Sequence, residues 1–262
     1  MKQKLYQVDA FTDRVFSGNP AAVCPLMEWL DDSILQKIAM ENNLAETAFY
    51  VKENDRFQIR WFTPEVEVDL CGHATLASAF VLFNLENYQE EVIQFYSPRS
   101  GDLMVSKKED MLTLNFPADY YKETALAESL LACFTAKPLV AYKGKTDYLV
   151  EFENEQLIRE LKPNLTAIAK LDARGLIVTA KGEEVDFVSR FFGPQVGVNE
   201  DPVTGSAHTT LIPYWAKKLQ KNSLTAIQCS ARSGYLLGEY LGDRVEISGK
   251  CVLYLSGELY LD

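Results

Sequence analysis

The chain contains only two histidines, His73 and His208, and both stand in glycine turns that open onto apolar, helix-like runs. The first turn reads Asp69-Leu70-Cys71-Gly72-His73-Ala74, and the second Glu200-Asp201-Pro202-Val203-Thr204-Gly205-Ser206-Ala207. At a helix start the first backbone N–H groups lack intrahelical partners, and a glycine lets a ligand approach them closely. Gly72 and the pair Gly205-Ser206 are therefore candidate anion-binding turns. Two such turns facing each other would offer a small anionic substrate two nests. The plain alternative is capping, with Ser206 as an ordinary N-cap. For His208 a structural role competes evenly with a chemical one.

Carboxylates supply the remaining acid–base chemistry. Glu46 lies in Asn42-Asn43-Leu44-Ala45-Glu46-Thr47-Ala48-Phe49, a polar turn running straight into an apolar strand. A carboxylate so close to a core must find a partner or protonate easily, which is how general acids and bases are made. Asp69 and Asp201 belong to the two turns, and Pro202 biases Asp201 to extended backbone, where it caps or faces a cleft. Cys71, one residue before Gly72, has the electropositive setting that favours a thiolate. A two-thiol racemase would need a second cysteine, but the equivalent position is Thr204, so Cys71 reads as a small packing residue. No GxGxxG, GxxxxGK[ST] or GxSxG element is present. Two histidines so placed, without clustered cysteines, argue against a metal site.

The elements that must position these groups come in two sets. Arg60-Trp61-Phe62-Thr63-Pro64-Glu65-Val66-Glu67-Val68 recurs 130 positions on as Arg190-Phe191-Phe192-Gly193-Pro194-Gln195-Val196-Gly197-Val198. Gly72 and Gly205 align at 133, so the second turn is three residues longer. Both halves thus read strand, acidic turn, glycine, helix, the pattern of a duplicated domain. A length of 262 residues accommodates two such domains. Short β-branched and aromatic runs fill most of the rest. Besides the two helices after the glycines, helices are expected over 31–41, 124–135 and 155–160. The run 74–85 is apolar nearly all round, so strands of its own half should wrap it. The division is placed near Phe116–Glu128, giving halves 1–118 and 119–262. A net charge of −11 leaves no basic stripe for nucleic acid and none for anionic membranes. The N-terminus carries no signal-like apolar stretch, and five scattered cysteines form no framework, which points to a reducing cytoplasm.

Four segments in order make the chain resemble the PhzF (phenazine-biosynthesis-like) family. They are Val8-Asp9-Ala10-Phe11-Thr12 with Phe16-Ser17-Gly18-Asn19-Pro20-Ala21-Ala22-Val23, then Asn43–Phe49, Cys71–Thr75 and Asp201–His208. The resemblance implies an α+β, diaminopimelate-epimerase-like fold: two pseudo-symmetric halves, each a β-barrel-like sheet around a central helix. It also implies that the final strands cross back to the first half. It implies a cofactor-independent isomerase in which Glu46 is the general acid/base and His73 and Asp201 assist proton transfer. Gly72, Gly205 and Ser206 would hold the polar ends of the substrate. The family's known reaction isomerises trans-2,3-dihydro-3-hydroxyanthranilate, a homodimer is a family-level expectation, and no metal is implied. Two other readings stay open: an amino-acid racemase or epimerase using Cys71, and a non-enzymatic small-acid-binding protein on the same scaffold.

Overall fold

A computed structural model describes residues 2–261. The chain divides into two compact units, the first taking in the chain up to Asn115 and again from Ser248 onward, the second Phe116–Ile247. The break falls ahead of the expected 118/119 division, and the second half closes at Ile247 rather than at the chain end. The cause is strand pairing within the first unit. Its last strand, β18 (Cys251–Tyr260), lies antiparallel along the whole of β1 (Lys2–Ala10).

In the first unit β1 also pairs antiparallel with β2 (Asn19–Leu26). From β2 the chain passes through α1 (Asp32–Asn42) to β3 (Glu46–Glu53), parallel to β2, and turns back as β4 (Arg56–Phe62). The short β5 (Glu67–Val68) folds onto β4, and α2 (Gly72–Asn84) carries the chain to β6 (Val92–Ser97), parallel to β4. Hairpins add β7 (Gly101–Lys108) and β8 (Met111–Pro117).

The second unit repeats this order. β9 (Lys122–Thr124) and α3 (Glu128–Leu131) precede β10 (Val140–Lys143), which pairs antiparallel with β9 and with β11 (Asp147–Glu151). Two short helices, α4 (Glu155–Glu160) and α5 (Leu165–Ile168), cross to β12 (Gly175–Lys181), parallel to β11. Then come β13 (Phe187–Gly193), antiparallel to β12, and β14 (Val198–Asp201), folded onto β13. α6 (Gly205–Leu219) leads to β15 (Ser223–Gln228), parallel to β13, followed by β16 (Gly234–Tyr240) and β17 (Arg244–Gly249).

The register carries the duplication to single residues. Trp61 faces Val68 across β4–β5, and Phe191 faces Asp201 across β13–β14. Arg60 grips Glu67 through Nε and Nη2 at 2.7 and 2.9 Å, and Arg190 grips Glu200 at the same distances. Each fork ties one strand to the acidic turn that ends in a helix.

Ten of the thirteen residues of α2 are buried, as its unbroken apolarity requires. Its two interior hydroxyls bond back along the helix, Thr75 Oγ1 to the Cys71 carbonyl at 2.5 Å and Ser78 Oγ to the Ala74 carbonyl at 2.8 Å. α6 carries Pro213, which cannot donate to the Thr209 carbonyl; the Asp119 N–H does so instead, at 3.0 Å. The helix expected over 124–135 is one turn only, 128–131. Its first residue, Thr124, is drawn into pairing with β10, while Leu130 and Cys133 are buried in the core of the second unit.

Candidate active site

In the first unit the chemistry is assembled by three neighbouring pieces of backbone. The β1–β2 connection is fixed by buried Asp9, whose Oδ2 accepts the Phe16 N–H at 2.9 Å. Gly18 completes it with φ of +65°, in a place where a Cβ would lie 2.2 Å from the Ala10 carbonyl oxygen. Asn19 then enters β2 fully buried. Parallel pairing of β2 with β3 sets Ala21 opposite Glu46, which is the first residue of β3 rather than part of a free turn. The third piece is the start of α2, where Cys71 is the N-cap residue in extended backbone and its side chain makes no cap bond.

These pieces bring Asn19, Glu46, Cys71 and His73 together. His73 Nε2 lies 3.3 Å from Glu46 Oε2, within ion-pair reach but off the line of an aligned hydrogen bond. On the other side of the ring, Nδ1 meets Asn19 Nδ2 at 3.2 Å and Cys71 Sγ at 3.5 Å. His73 is buried, and burial pushes its imidazole down to about 3, so the ring is neutral near pH 7. Glu46 keeps 17% of its side chain exposed, although Oε2 itself is buried, whereas only 5% of the His73 side chain is exposed.

Donor atoms of Glu46, Cys71 and His73 fall within 4.8 Å of one another, which raises the question of a metal ion. An ion takes one ring nitrogen, whereas the short contacts here use both: Nδ1 toward Cys71 and Nε2 toward Glu46. The ring thus stands between two groups, one at each nitrogen. Asp69, the other carboxylate of this turn, is 76% exposed and pairs with Arg99 at 3.2 Å, a solvated ion pair.

In the second unit Asp201 ends β14. Thr204 Oγ1 donates to Asp201 Oδ2 at 2.6 Å. Fully buried Gln228 locks the same turn: its Nε2 donates to the Asp201 carbonyl at 2.8 Å and to Thr204 Oγ1 at 3.1 Å, and its Oε1 accepts the Thr204 N–H at 2.9 Å. Ser206 is not the cap. Thr204 holds that position, with no side-chain cap bond, and Ser206 Oγ instead accepts from Arg174 at 3.0 Å. Arg174 is itself forked onto buried Asp147, its Nε at 3.0 Å from Oδ1 and its Nη2 at 2.5 Å from Oδ2. His208, 1% exposed, donates Nδ1–H to the Thr204 carbonyl at 2.8 Å and packs beside the Phe187 ring. The bond to Thr204 ties the ring to the first turn of α6.

Sequence reasoning missed Asn19, Gln228 and Arg174 as members of these clusters. Asn19 stood in plain view within Gly18-Asn19-Pro20, a segment quoted only for the family resemblance, and nothing local points it at His73, 54 residues away. Gln228 and Arg174 are 24 and 32 residues from the atoms they hold, and no local pattern marks them.

Two units of one topology, each a sheet packed about its own buried helix, define an α+β protein of the diaminopimelate-epimerase-like fold. A hydroxyproline epimerase from Agrobacterium vitis shares that fold with a TM-score of 0.61 at 9% identity, covering all of this chain and 93% of its own. Residues 8–257 match the phenazine biosynthesis-like protein family, and the chain belongs to it. It is 52% identical over the full length of both chains to an uncharacterized isomerase of Pseudomonas aeruginosa. The crystal structure of a PhzF-family protein from Enterococcus faecalis superposes with a TM-score of 0.97 at 48% identity, covering both chains completely.

Proposed function

We propose that the protein is a cofactor-independent isomerase that moves a proton within a small carboxylate-bearing substrate, with Glu46 as the general acid/base. The observation carrying this reading is the contact of Glu46 Oε2 with the buried, neutral His73 ring at 3.3 Å. A part-exposed carboxylate steadied by a neutral imidazole can take a proton from carbon and return it elsewhere. His73 assists by holding that carboxylate, and Gly72 brings unpaired helix N–H groups to the same turn. Asp201, clamped by Thr204 and Gln228, is the second proton-handling group of the proposal, and Gly205 and Ser206 are its further substrate contacts. The names of the relatives, isomerases among them, support the reaction class. The dihydro-hydroxyanthranilate of the family's known reaction is the substrate to try first.

The test is solvent exchange. In D2O the protein is offered trans-2,3-dihydro-3-hydroxyanthranilate and a panel of small hydroxy and amino acids, and deuterium uptake into carbon-bound positions is followed. Glu46→Gln should lower turnover about 10² to 10⁴-fold with the fold intact. Full turnover in that variant would sink the assignment.

One observation favours a second reading. Cys71 Sγ is 3.5 Å from His73 Nδ1, a thiol next to an imidazole, as a one-thiol racemase would need. Exchange at a stereocentre that is lost in Cys71→Ser but survives in Glu46→Gln would select it.

A further inference from the structure

The ring of His73 is approached from both sides by hydrogen-bonding groups, with the Asn19 amide presenting its nitrogen and Glu46 a carboxylate oxygen. An amide nitrogen can only donate, so Asn19 Nδ2, 3.2 Å from Nδ1, requires a lone pair on that atom. The Cys71 thiol, 3.5 Å from the same nitrogen, is also satisfied by donating to it. With Nδ1 accepting, the single proton of a neutral ring must sit on Nε2, the nitrogen that faces Glu46.

We infer that Asn19 is a positioning residue that fixes His73 in its Nε2–H tautomer, so that His73 acts on Glu46 as a neutral hydrogen-bond donor. This rests on the proposed role of Glu46 and deepens it. A neutral donor steadies the carboxylate without cancelling its charge, and the short reach from 3.3 Å to an aligned bond is a tightening expected when substrate binds. The burial that keeps the ring neutral acts in the same direction. The buried position of Asn19 and the left-handed Gly18 before it acquire a purpose: they aim one amide at one ring nitrogen.

The second histidine supplies an internal standard. His208 Nδ1 lies 2.8 Å from the Thr204 carbonyl, which can only accept, so His208 must be the opposite tautomer, Nδ1–H. Two histidines give two ring spin systems, and long-range ¹H–¹⁵N correlation of the ¹⁵N-labelled protein near pH 7 distinguishes the tautomers directly. The expected wild-type spectrum shows one ring of each kind, with His208→Gln removing the Nδ1–H pattern. Asn19→Asp replaces the donor by an acceptor and should move the His73 proton to Nδ1, or charge the ring, while His208 is unchanged. Two Nδ1–H rings in the wild type would mean that the Asn19 oxygen faces the ring, and the inference would be overturned whether or not any variant folds. An unchanged His73 pattern in folded Asn19→Asp would overturn it as well. Neither readout involves turnover, so failure here leaves the Glu46 assignment to its own test.

Discussion

Glu46 and His73 meet because β3 and α2 deliver them from positions 27 residues apart, and neither would be in place without the residues behind them. The same holds for Asp201, whose orientation depends on Thr204 and Gln228. Thr204→Val removes a hydroxyl that donates to Asp201 and accepts from Gln228, leaving a fully buried amide short of one partner. The variant should lose about 1–3 kcal/mol of stability, the usual cost of an unsatisfied buried polar group. Urea unfolding measures it, and a loss below a few tenths of a kcal/mol would show the clamp to be idle. The candidate acid–base residues were legible because they sit inside short motifs with distinctive residue types. Their supporting groups were not, since hydrogen bonds across 24 to 54 residues leave no local trace in a single sequence.

At the scale of elements, the strands with clean alternation and the buried helix α2 were legible from patterning alone, because burial dictates composition. β2 was not. Pro20 and Pro25 argue against a strand paired on both sides, yet β2 lies between β1 and β3. Helix propensity misled in the opposite sense at 124–135, where pairing with β10 and a share of the core outweigh local preference. The connection into β2 is also where a small change should do most harm. Gly18→Ala would place a Cβ 2.2 Å from the Ala10 oxygen at a φ of +65°. We expect a destabilisation of about 1–3 kcal/mol. The Asn19–His73 contact should loosen with it, read as a lower thermal midpoint and broadened His73 ring signals. A Gly18→Ala protein as stable as wild type would show that the turn is not under this constraint.

Across the whole molecule, each central helix carries one buried histidine in its first turn, at positions the duplication does not relate, and both are held well below the ordinary histidine range. Burial takes His73 to about 3, and His208 to about 4 despite the opposing bond to the Thr204 carbonyl. The unfolded chain has ordinary histidines near 6.5, so as pH falls below that value the unfolded state takes up protons that the folded state refuses. The stability each neutral ring confers is therefore complete above about pH 6.5 and drains away toward 4 and 3, at about 1.4 kcal/mol per pH unit per histidine. Asp32 and Asp186 are lowered from 3.8, Asp32 mainly by its bond to Arg60 and Asp186 by bonds from Lys221 and Thr225 that outweigh burial. Their contributions are lost only at still lower pH than those of the histidines. Native-state hydrogen exchange should show the opening free energies of α2 and α6 each falling by about 2 kcal/mol between pH 7 and pH 5, after correction for intrinsic rates. His208→Gln should abolish the fall in α6 and leave that in α2. Acid lability that persists in α6 of the variant would have to come from other groups, and the account of His208 as a buried neutral ring would fail.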